Sequence, residues 1–584
     1  MLFLIESIRR HPEEQFREKR AGMALQTSVM NHKSRFKIAG LIPKGKQVED
    51  LLFLLLGTLP FLAIFAFLCY ADREVIVMKE YWKTYLPKPI CEAHPEYGDL
   101  YEKAWELAYA HIKDVEGMPQ SPYMDEAFCD TQIWIWDTCF MSLFCKYARE
   151  IFPGVESLCN FYEVLYGEKC LPYVIPTEKE PQWTGAIPGK AKRMEIHIAD
   201  NPPLFAWAEY ENALFHGDLE YIKTLLYDRR VLQKHYEWID GLKEKYTPGG
   251  VHAETCLIHT AYGYRWEGGR SGMDNTPRGR TGERTNKNRP NPPDMLWIDA
   301  IAQQALSAKK ISSLFALCSD EENRRLWECR FLEKKHLIET YYWDEADGFY
   351  YDINETTHNF CKVMTPASYW VLTAGAAEKE RAEQMVAHVC DVNTFGGEVP
   401  LLSLARNDGN FDPQGRYWRG SLWLPTAYAT LKGMAAYCCY DKVHTAAKKI
   451  LDHMVKTYLS YEPHTIWECY APVSPMPATT PDGKSYVRPD FCGWSALGPI
   501  SVYIEYVLGF HTVDAFARTV EWEMPMTFKG RIGIENLRFG DIVTDITAED
   551  GHCTVSSNLP YTLKVCGHAF EIESGVQTFC LVKG

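Results

Sequence analysis

The chain has 584 residues, 46% of them hydrophobic, and can bury several cores or one very large one. Its formal net charge of −15 argues against nucleic acid as a partner, because no basic stripe is available to release phosphate counterions. The 17 Trp and 34 Tyr residues favour aromatic surfaces of the kind that stack on sugar rings, although large helical cores also use Trp.

The first predicted element is an apolar run at residues 51–70, LLFLLLGTLPFLAIFAFLCY, which carries no charge and is long enough to cross a bilayer. The preceding residues 1–50 are rich in Lys and Arg, so the positive-inside rule places them in the cytoplasm. We expect an uncleaved membrane anchor or a signal sequence that starts at Met23 or Met30. Either would put the rest of the chain outside the cytoplasm, whereas a buried helix at this position would leave it inside.

Residues 76–511 are predicted to form a helical domain. From about residue 95 to 510, apolar residues recur at three- and four-residue spacing, and strong strand alternation is absent. Loops rich in aromatic residues, Gly and Pro separate the helical segments. Clear examples are YEKAWELAYAHIKD, DTCFMSLFCKYAREIF, PLFAWAEYENALF, PDMLWIDAIAQQALSAKKISSLFALC and GSLWLPTAYATLKGMAAYCCY. The fourth is apolar over most of its circumference, which predicts a helix enclosed by others.

The pattern changes at about residue 512. Residues 512–584 alternate apolar and polar positions and are interrupted by Gly, Asn-Leu-Pro and Glu-Asp-Gly turn signals. This pattern predicts a small C-terminal antiparallel β domain.

No metal and no cofactor are predicted. The 19 cysteines include no CxxC pair and no Cys/His cluster at zinc spacing, and their irregular spacing does not indicate a disulfide framework. The histidines are dispersed along the chain, at His111, His197, His252, His259 and His464. Calcium bound by loop carboxylates stays open.

Five loop regions set charged residues among aromatic residues close to predicted helices. They are QIWIWDTCF (132–140), NPPLFAWAEY (201–210), YGYRWEGGRSGMDNTPRGR (262–280), RYWRGSLWLP (416–425) and the pair HTIWECYAP and RPDFCGWSALGPI (464–472 and 488–500). A carboxyl group ringed by Trp and Tyr is partly desolvated, which raises its pKa and suits it to general-acid catalysis. Each acidic residue also has a structural interpretation, such as a helix cap or a turn residue.

Asp274 and Glu468 are the strongest candidates for a catalytic pair. Two carboxyl groups across an aromatic pocket are the usual machinery for cleaving a glycosidic bond, with one protonated and the other ionised. Apolar neighbours flank both residues in the sequence, so either pKa can be tuned. A closed ring of helices can bring the two loops face to face.

These motifs, in this order over most of residues 95–510, resemble glycoside hydrolase family 63 of clan G, which is related to the family 37 trehalases. RSGMDNTPR resembles the segment that carries the general acid. WECYAP followed by DFCGWSALGPI resembles the segment that carries the general base and a sugar-stacking Trp. WDTCF, NPPLFAWA and YWRGSLWLP match the remaining active-site loops. The pattern is nearest to the bacterial α-glucosidase and mannosylglycerate hydrolase types.

The resemblance implies a mainly α fold, an (α/α)6 toroid, and an inverting, exo-acting hydrolase of α-glycosidic bonds. Carried onto this chain, it makes Asp274 the general acid and Glu468 the general base. The positions that it implies at the sugar pocket are Trp136, Asp137, Trp418, Arg419 and Trp494. Trp207, in the second loop, is a further candidate sugar-binding residue.

The identity of the sugar and aglycone stays open. We expect no large N-terminal β domain of the kind found in the bigger family members, and a β tail in addition, so the resemblance is least informative about the choice of substrate. An α-glucoside is one expectation, and a mannosyl- or glucosylglycerate is the alternative. A carboxylated aglycone would need a cation, for which Arg270, Arg278 and Arg280 are the candidates; at least one of Arg270 and Arg278 is expected to face the pocket.

Two other classes fit the sequence less well. A polysaccharide lyase with a helical toroid would want a basic groove and no paired carboxylates. A catalytically silent carbohydrate-binding protein would keep the aromatic residues and lose a carboxylate, whereas Asp274 and Glu468 are both present. The expected partner is therefore a carbohydrate substrate, with membrane anchoring through residues 51–70 as a further expectation.

Overall fold

The computed structural model describes residues 80–126, 132–163, 171–172, 174–177, 204–244, 257–266, 271–278, 294–525 and 529–581. The chain divides into two units, Met1–Thr84 and Tyr85–Gly584. The predicted apolar segment 51–70 and the basic segment 1–50 lie outside the described residues. Within the described ranges, no helix is long and apolar enough to cross a membrane.

The second unit is mainly α-helical. Its α-helices are α1 (Glu96–Ala110), α2 (Ile135–Cys145), α3 (Gly154–Glu163), α4 (Phe205–His216), α5 (Leu219–Lys223), α6 (Val231–Gly241), α7 (Ile298–Leu317), α8 (Glu321–Tyr341), α9 (Trp370–Thr373), α10 (Lys379–Cys390), α11 (Leu424–Ala436) and α12 (Tyr440–Ser460). A π-helix at Gly498–Val507 follows a short 3₁₀ turn, Ser495–Leu497. Each of the helical segments named from the sequence overlaps one of these helices.

Helix α7 is the long apolar helix that the sequence predicts to be enclosed. Its side chains from Ile298 to Ala308 are all buried. It packs against α4, α6, α8 and α9, so helices contact it on several sides. Burial of this kind explains why Asp299 is the single charged residue between Ile298 and Ala308.

Short strands occur within the helical part of the chain, which the sequence did not reveal. They are β2 (Ile112–Lys113), β3 (Tyr123–Met124), β4 (Gln132–Trp134), β5 (Val174–Pro176), β6 (Leu257–His259), β7 (Tyr264–Trp266), β8 (Met295–Leu296), β9 (Trp343–Asp344), β10 (Phe349–Tyr350), β11 (Asp352–Asn354) and β12 (Phe360–Cys361). Five of them form one sheet in the order β12-β11-β8-β7-β6. At two or three residues each, they are too short to show a period-two pattern. Strands β7 and β8 flank the Asp274 loop.

The C-terminal residues form two sheets. Their strands are β13 (Thr512–Asp514), β14 (Thr519–Trp522), β15 (Ile532–Phe539), β16 (Ile542–Glu549), β17 (His552–Ser557), β18 (Tyr561–Val565), β19 (His568–Ile572) and β20 (Gly575–Cys580). Hairpin β16–β17 turns at Asp550 and Gly551, which both have positive φ, as the Glu-Asp-Gly signal predicts for a tight hairpin.

Two features of these sheets differ from the expectation of a purely antiparallel C-terminal domain. Strand β14 pairs with β18 in parallel, in the sheet β13-β14-β18-β19. The other sheet, β1-β15-β16-β17-β20, takes its first strand, β1 (Lys88–Cys91), from the far end of the unit. A pairing across more than four hundred residues leaves no local signal in the sequence.

Candidate active site

A cavity of about 370 Å³ lies where several helices begin. The first residues of α2, α7, α9 and α11 contribute Asp137, Asp299, Trp370 and Thr426 to its wall. Helix N-termini present unpaired backbone N–H groups and the positive end of the helix dipole. The cavity therefore favours carboxylates and electron-rich oxygen atoms. The aromatic part of the wall consists of Trp134, Trp136, Phe140, Trp370, Tyr417, Trp418, Trp423, Tyr486 and Trp494.

Asp274 lines this cavity from the turn 271–278. Gly272 precedes it with φ +74°, and a Cβ at this position would overlap the Trp136 ring. Glycine therefore serves both the left-handed backbone and the close approach of the ring. Asn275 follows, and its side chain accepts from Trp418 N (2.8 Å) and donates to the Arg416 carbonyl (2.9 Å). These bonds fix the Asp274 turn to the next active-site loop.

Arg278 anchors the other end of the same turn. Its guanidinium donates to both carboxylate oxygens of Asp299 (2.6 and 2.8 Å) and both of Asp352 (2.9 and 2.6 Å). It also lies over the Trp297 ring, 4.5 Å from the centroid, and is 1% exposed. Two facing bidentate pairs leave this side chain little freedom, so the turn that carries Asp274 is held rigidly.

Glu468 lies in the same cavity wall and is 3% exposed. Its Oε1 accepts a hydrogen bond from the Tyr417 hydroxyl (2.8 Å), and its backbone oxygen accepts from Trp494 Nε1 and Ser495 Oγ. Burial raises the pKa of Glu468, while the Tyr417 hydroxyl and the nearby charge of Arg488 oppose that rise. The carboxyl group is thus held in one orientation in a poorly hydrated setting.

Asp137 adds a third carboxyl group to the cavity. Burial raises its pKa to about 7, against the opposing effect of its own backbone N–H, and the charges of Glu468 and Asp274 raise it further. Glu126 lies close by, and burial together with the charge of Asp137 raises the pKa of that carboxyl well above its usual range. Like charges in a poorly hydrated site disfavour one another, so the carboxyl groups of Asp137, Glu126, Asp274 and Glu468 are not all ionised at the same time.

Six of the residues predicted from the sequence meet in this one cavity. They are Trp136, Asp137, Asp274, Trp418, Glu468 and Trp494. The ring of Trp418 stacks on Trp423 with centroids 4.2 Å apart and planes 5° apart. The cavity thus presents flat aromatic surfaces beside its carboxyl groups, an arrangement suited to a pyranose ring.

The remaining predicted residues lie elsewhere. Trp207 is 1% exposed and packs edge-on against Phe140 and Trp370, so it lies one layer behind the cavity wall. Arg419 is 8% exposed and donates from Nε to the Asn275 carbonyl (2.7 Å), which braces the Asp274 turn. Arg270 lies outside the described residues.

Of the two arginines of which at least one was expected to face the pocket, Arg278 does not face it: its guanidinium is buried and is absent from the cavity wall. Its guanidinium is engaged by Asp299 and Asp352, beneath the turn. Arg278 instead braces the loop, through the carboxylates of Asp299 and Asp352. Arg280, a third candidate, lies outside the described residues.

Sequence reasoning missed three residues that the cavity brings together. Tyr417 binds Glu468, Arg488 lines the wall, and Trp423 supports Trp418. Tyr417 and Trp423 belong to the motif RYWRGSLWLP, and Arg488 opens the motif RPDFCGWSALGPI. All three residues therefore lie within motifs that were identified from the sequence. The sequence alone does not tell which of several aromatic neighbours faces the carboxyl group.

Comparison with known proteins agrees with this class of site. The family model described as "Mannosylglycerate hydrolase MGH1-like glycoside hydrolase domain" matches residues 171–486, more than half of the chain. The match identifies a glycoside hydrolase family. The chain belongs to this MGH1-like family, within glycoside hydrolase family 63.

Two relatives give the breadth of the similarity. An uncharacterized protein of Borreliella burgdorferi is 26% identical over 430 residues, which cover 71% of this chain and 79% of that protein. The mannosyl-oligosaccharide glucosidase of Saccharomyces cerevisiae is 28% identical over 302 residues, 46% of this chain and 33% of the yeast protein. The chain thus aligns with only about a third of the yeast enzyme.

Among solved structures, the family 63 mannosylglycerate hydrolase of Thermus thermophilus, in complex with glucose, matches with a TM-score of 0.51 and 17% identity. The match covers 69% of this chain and 99% of that one. A sialidase structure matches with a TM-score of 0.57 and 13% identity, over 85% of this chain and 40% of that one. At these identities the likeness concerns the fold alone.

Proposed function

We propose that this protein is an inverting, exo-acting glycoside hydrolase that cleaves α-glycosidic bonds, with an α-glucoside as substrate. The observation that carries the proposal is the placement of Asp274 and Glu468 in one aromatic cavity, each on a braced loop. A pair of carboxyl groups in such a setting matches the requirements of glycosidic cleavage.

In the proposed reaction Asp274 is the general acid. It donates its proton to the glycosidic oxygen as the bond from that oxygen to C1 breaks. Glu468 is the general base and removes a proton from a water molecule as the water oxygen attacks C1 from the opposite face. The released aglycone gains the proton of Asp274, and the sugar gains the water hydroxyl with inverted configuration. Inversion requires roughly 6.5–9.5 Å between the two carboxyl groups, to leave room for the water.

Tyr417 and Arg488 support the assignment of Glu468 as base. A base must be ionised before it accepts a proton, yet burial raises the pKa of this carboxyl. The Tyr417 hydroxyl and the charge of Arg488 both act in the opposite direction and keep the ionised form accessible. Asp137, which is protonated over a wider pH range, suits a role in binding sugar hydroxyls.

Exo action and a toroidal arrangement of the helices are part of the same proposal. First-turn residues of several helices line the cavity, and such a lining favours a pocket for one terminal sugar over an open groove. The family 63 fold similarity supports an (α/α)6 toroid for residues 76–511. We further propose that residues 51–70 export or anchor this domain outside the cytoplasm, since they are uncharged and apolar over the length of a bilayer.

A second candidate is hydrolysis of a glycoside with a carboxylated aglycone, such as a mannosyl- or glucosylglycerate. The observation that favours it is Arg488, an exposed cationic residue in the cavity wall. An arginine fork binds a carboxylate through two charge-assisted hydrogen bonds. The family description, mannosylglycerate hydrolase MGH1-like, agrees with this chemistry.

The test combines two variants with product analysis. Asp274→Asn and Glu468→Gln should each lower kcat by at least about a hundredfold, the order expected for loss of a general acid or base, with an unchanged helical circular dichroism spectrum. Asp482→Asn, in an exposed turn near the cavity rim, is the matched control and should keep full activity. Proton NMR of the first-formed product should show the β anomer. Near-normal activity of either variant, or a first product that retains the α configuration, would contradict the mechanism.

The same assay separates the two substrate classes. Neutral α-linked disaccharides and glycosylglycerates are compared with wild type and with Arg488→Met. If the aglycone is acidic, the variant should raise KM for the glycosylglycerate by about ten- to a hundredfold, as expected for a charge-assisted contact. An equal effect on both substrates favours the neutral α-glucoside.

A further inference from the structure

A second cavity, of about 300 Å³, lies at the opposite end of α2 from the active-site cavity. Cys145, the last residue of α2, and His216, the last residue of α4, line it, whereas Asp137 in the first turn of α2 lines the active-site cavity. A space of this volume equals roughly ten times the share of one water molecule in the liquid. It falls at the lower limit of the usual range for small-molecule sites.

The wall of this second cavity carries buried polar groups that the described part of the protein leaves unsatisfied. Asn212 is 2% exposed, and its Oδ1 has no hydrogen-bond partner among the described residues. The same holds for Nε2 of His216 within those ranges. An unmade hydrogen bond at a buried polar atom is unfavourable, and native proteins usually satisfy such atoms with protein, water or ligand.

Glu209 is a further buried polar group in the wall of this cavity, and its carboxyl group does have hydrogen-bond partners. It is 1% exposed, and its Oε1 accepts hydrogen bonds from Tyr162 (2.6 Å) and Tyr221 (2.9 Å). No Lys, Arg or His of the described ranges lies within ion-pair distance of it. Burial raises the pKa of this carboxyl to about 7. A buried carboxyl that is held by two hydroxyls and by no cation can exchange hydrogen bonds with a neutral ligand.

Charges of both signs surround the cavity, so neither a cation nor an anion meets a wall of uniformly opposite charge. An ammonium group would face Arg149 and Arg229, which both line the cavity. An anion would face Glu156, Glu209 and Asp218, and also the carbonyl ends of α2 and α4, where the helix dipole is negative. The balance of charge favours a neutral molecule that both donates and accepts hydrogen bonds.

We propose that this cavity, at the C-terminal ends of α2 and α4, binds a small neutral polyhydroxylated molecule, a monosaccharide or a polyol. Hydroxyl groups donate to Asn212 Oδ1 and Glu209 and accept from the arginines, which no ionic ligand of the same size does. The partly buried side chain of Val155 and the buried ring of Phe152 supply an apolar face for the carbon atoms. The site is separate from the catalytic cavity and does not depend on the assignment of Asp274 and Glu468.

The test measures the stoichiometry of binding of radiolabelled glucose, and separately of glycerol, by equilibrium dialysis with the full chain. Wild type should bind one equivalent of glucose in the second cavity, and a further equivalent in the active site if the substrate is an α-glucoside. Val155→Trp fills the second cavity from its wall and should bind one equivalent fewer, with kcat/KM on an α-glucoside unchanged. The matched control is Val392→Trp, at a valine that is 62% exposed and outside both cavities, and it should keep the wild-type stoichiometry.

A second variant guards against misfolding of the first. His216→Leu removes an unsatisfied nitrogen with little change of volume and should weaken binding at the second site at least about tenfold, the effect of losing one good hydrogen bond. The proposal is overturned if both variants, folded by circular dichroism, retain the wild-type stoichiometry and affinity for glucose and glycerol. It is equally overturned if neither probe binds outside the active site, or if methylammonium or sulfate displaces glucose from the second site.

Discussion

Replacement of Arg278 by Met should destabilise the protein and lower its activity on every substrate alike. The guanidinium is 1% exposed and makes four hydrogen bonds, of 2.6 to 2.9 Å, to Asp299 and Asp352. Methionine fills a similar volume over Trp297 but leaves both carboxylates buried without their counter-ion. These two side chains are only 1% and 3% exposed.

The magnitude follows from the cost of breaking a buried pair. Removal of one partner of such a pair typically costs about 3–5 kcal/mol, because an uncompensated charge stays in the interior. Further loss of stability is limited because each carboxylate still accepts a backbone hydrogen bond in the variant. Asp352 accepts from Ile298 N, and Asp299 accepts from Ala300 N. We therefore expect a decrease of about 3–5 kcal/mol in the free energy of unfolding. Arg278→Lys keeps the positive charge but loses the two bidentate pairs, so its free energy of unfolding should lie between those of wild type and of Arg278→Met.

Urea unfolding at pH 7 measures this decrease, and steady-state kinetics on a neutral α-glucoside and on a glycosylglycerate measure the effect on the site. The matched control is Arg265→Met in β7. Arg265 pairs with Glu355 at 3.4 Å, with 30% and 26% of the two side chains exposed, and should lose less than about 1 kcal/mol.

Two results would refute this reasoning. A loss of stability no larger than that of the Arg265 control would mean that the buried pairs do not hold the turn. An effect on KM for the acidic substrate alone would mean that Arg278 reaches the aglycone after all. The expected kinetic result is instead a fall in kcat on both substrates, since the turn carries Asp274.

Three further predictions concern other residues. Tyr417→Phe removes a hydrogen bond that lowers the pKa of Glu468, so that pKa should rise in the variant. The acidic limb of the pH profile of kcat/KM should therefore move to higher pH. An acidic limb at the wild-type pH would argue against Glu468 as the base. Asp137→Asn should raise the melting temperature more at pH 8.5 than at pH 5. The pKa of Asp137 is about 7 in the folded protein instead of 3.8, so above pH 7 its ionisation lowers the free energy of unfolding by on the order of 4 kcal/mol, a loss that Asn avoids. Equal shifts of the melting temperature at both pH values would contradict this. A truncated protein that starts at Ile76 should be soluble and fully active if residues 51–70 target or anchor the chain, and its aggregation would indicate a structural role for them.

The family and the mainly helical fold could be predicted because their signals are local. Amphipathic spacing marks each helix, and the active-site motifs pair carboxyl groups with aromatic residues in short loops. Asp274 and Glu468 were found in this way and lie in one cavity. Their catalytic roles stay a prediction until the variants are measured.

The misplaced residues depend on distant partners. Trp207 lies on a helix, where the same ring serves a core as well as a sugar site, and only the positions of Phe140 and Trp370 show which. Arg278 is a loop arginine in the sequence, and its partner Asp352 is 74 residues away. The sequence does not show which face of a loop points outward. It also contains no local pattern that indicates the ion pair between Arg278 and Asp352.

The pairing of β1 with β15 has a consequence for synthesis of the chain. Lys88 leaves the ribosome more than four hundred residues before its partner Glu535. At about 5–20 residues per second, the interval is roughly 20 to 90 s. During this time β1 is a strand without a neighbour, and such edges attract other chains. Lys88 and Pro89 lie within β1, and a charge and a missing N–H donor are the features that discourage such pairing. Lys88 and Pro89 thus discourage aggregation through β1 in the nascent chain until β15 has been synthesised and pairs with it.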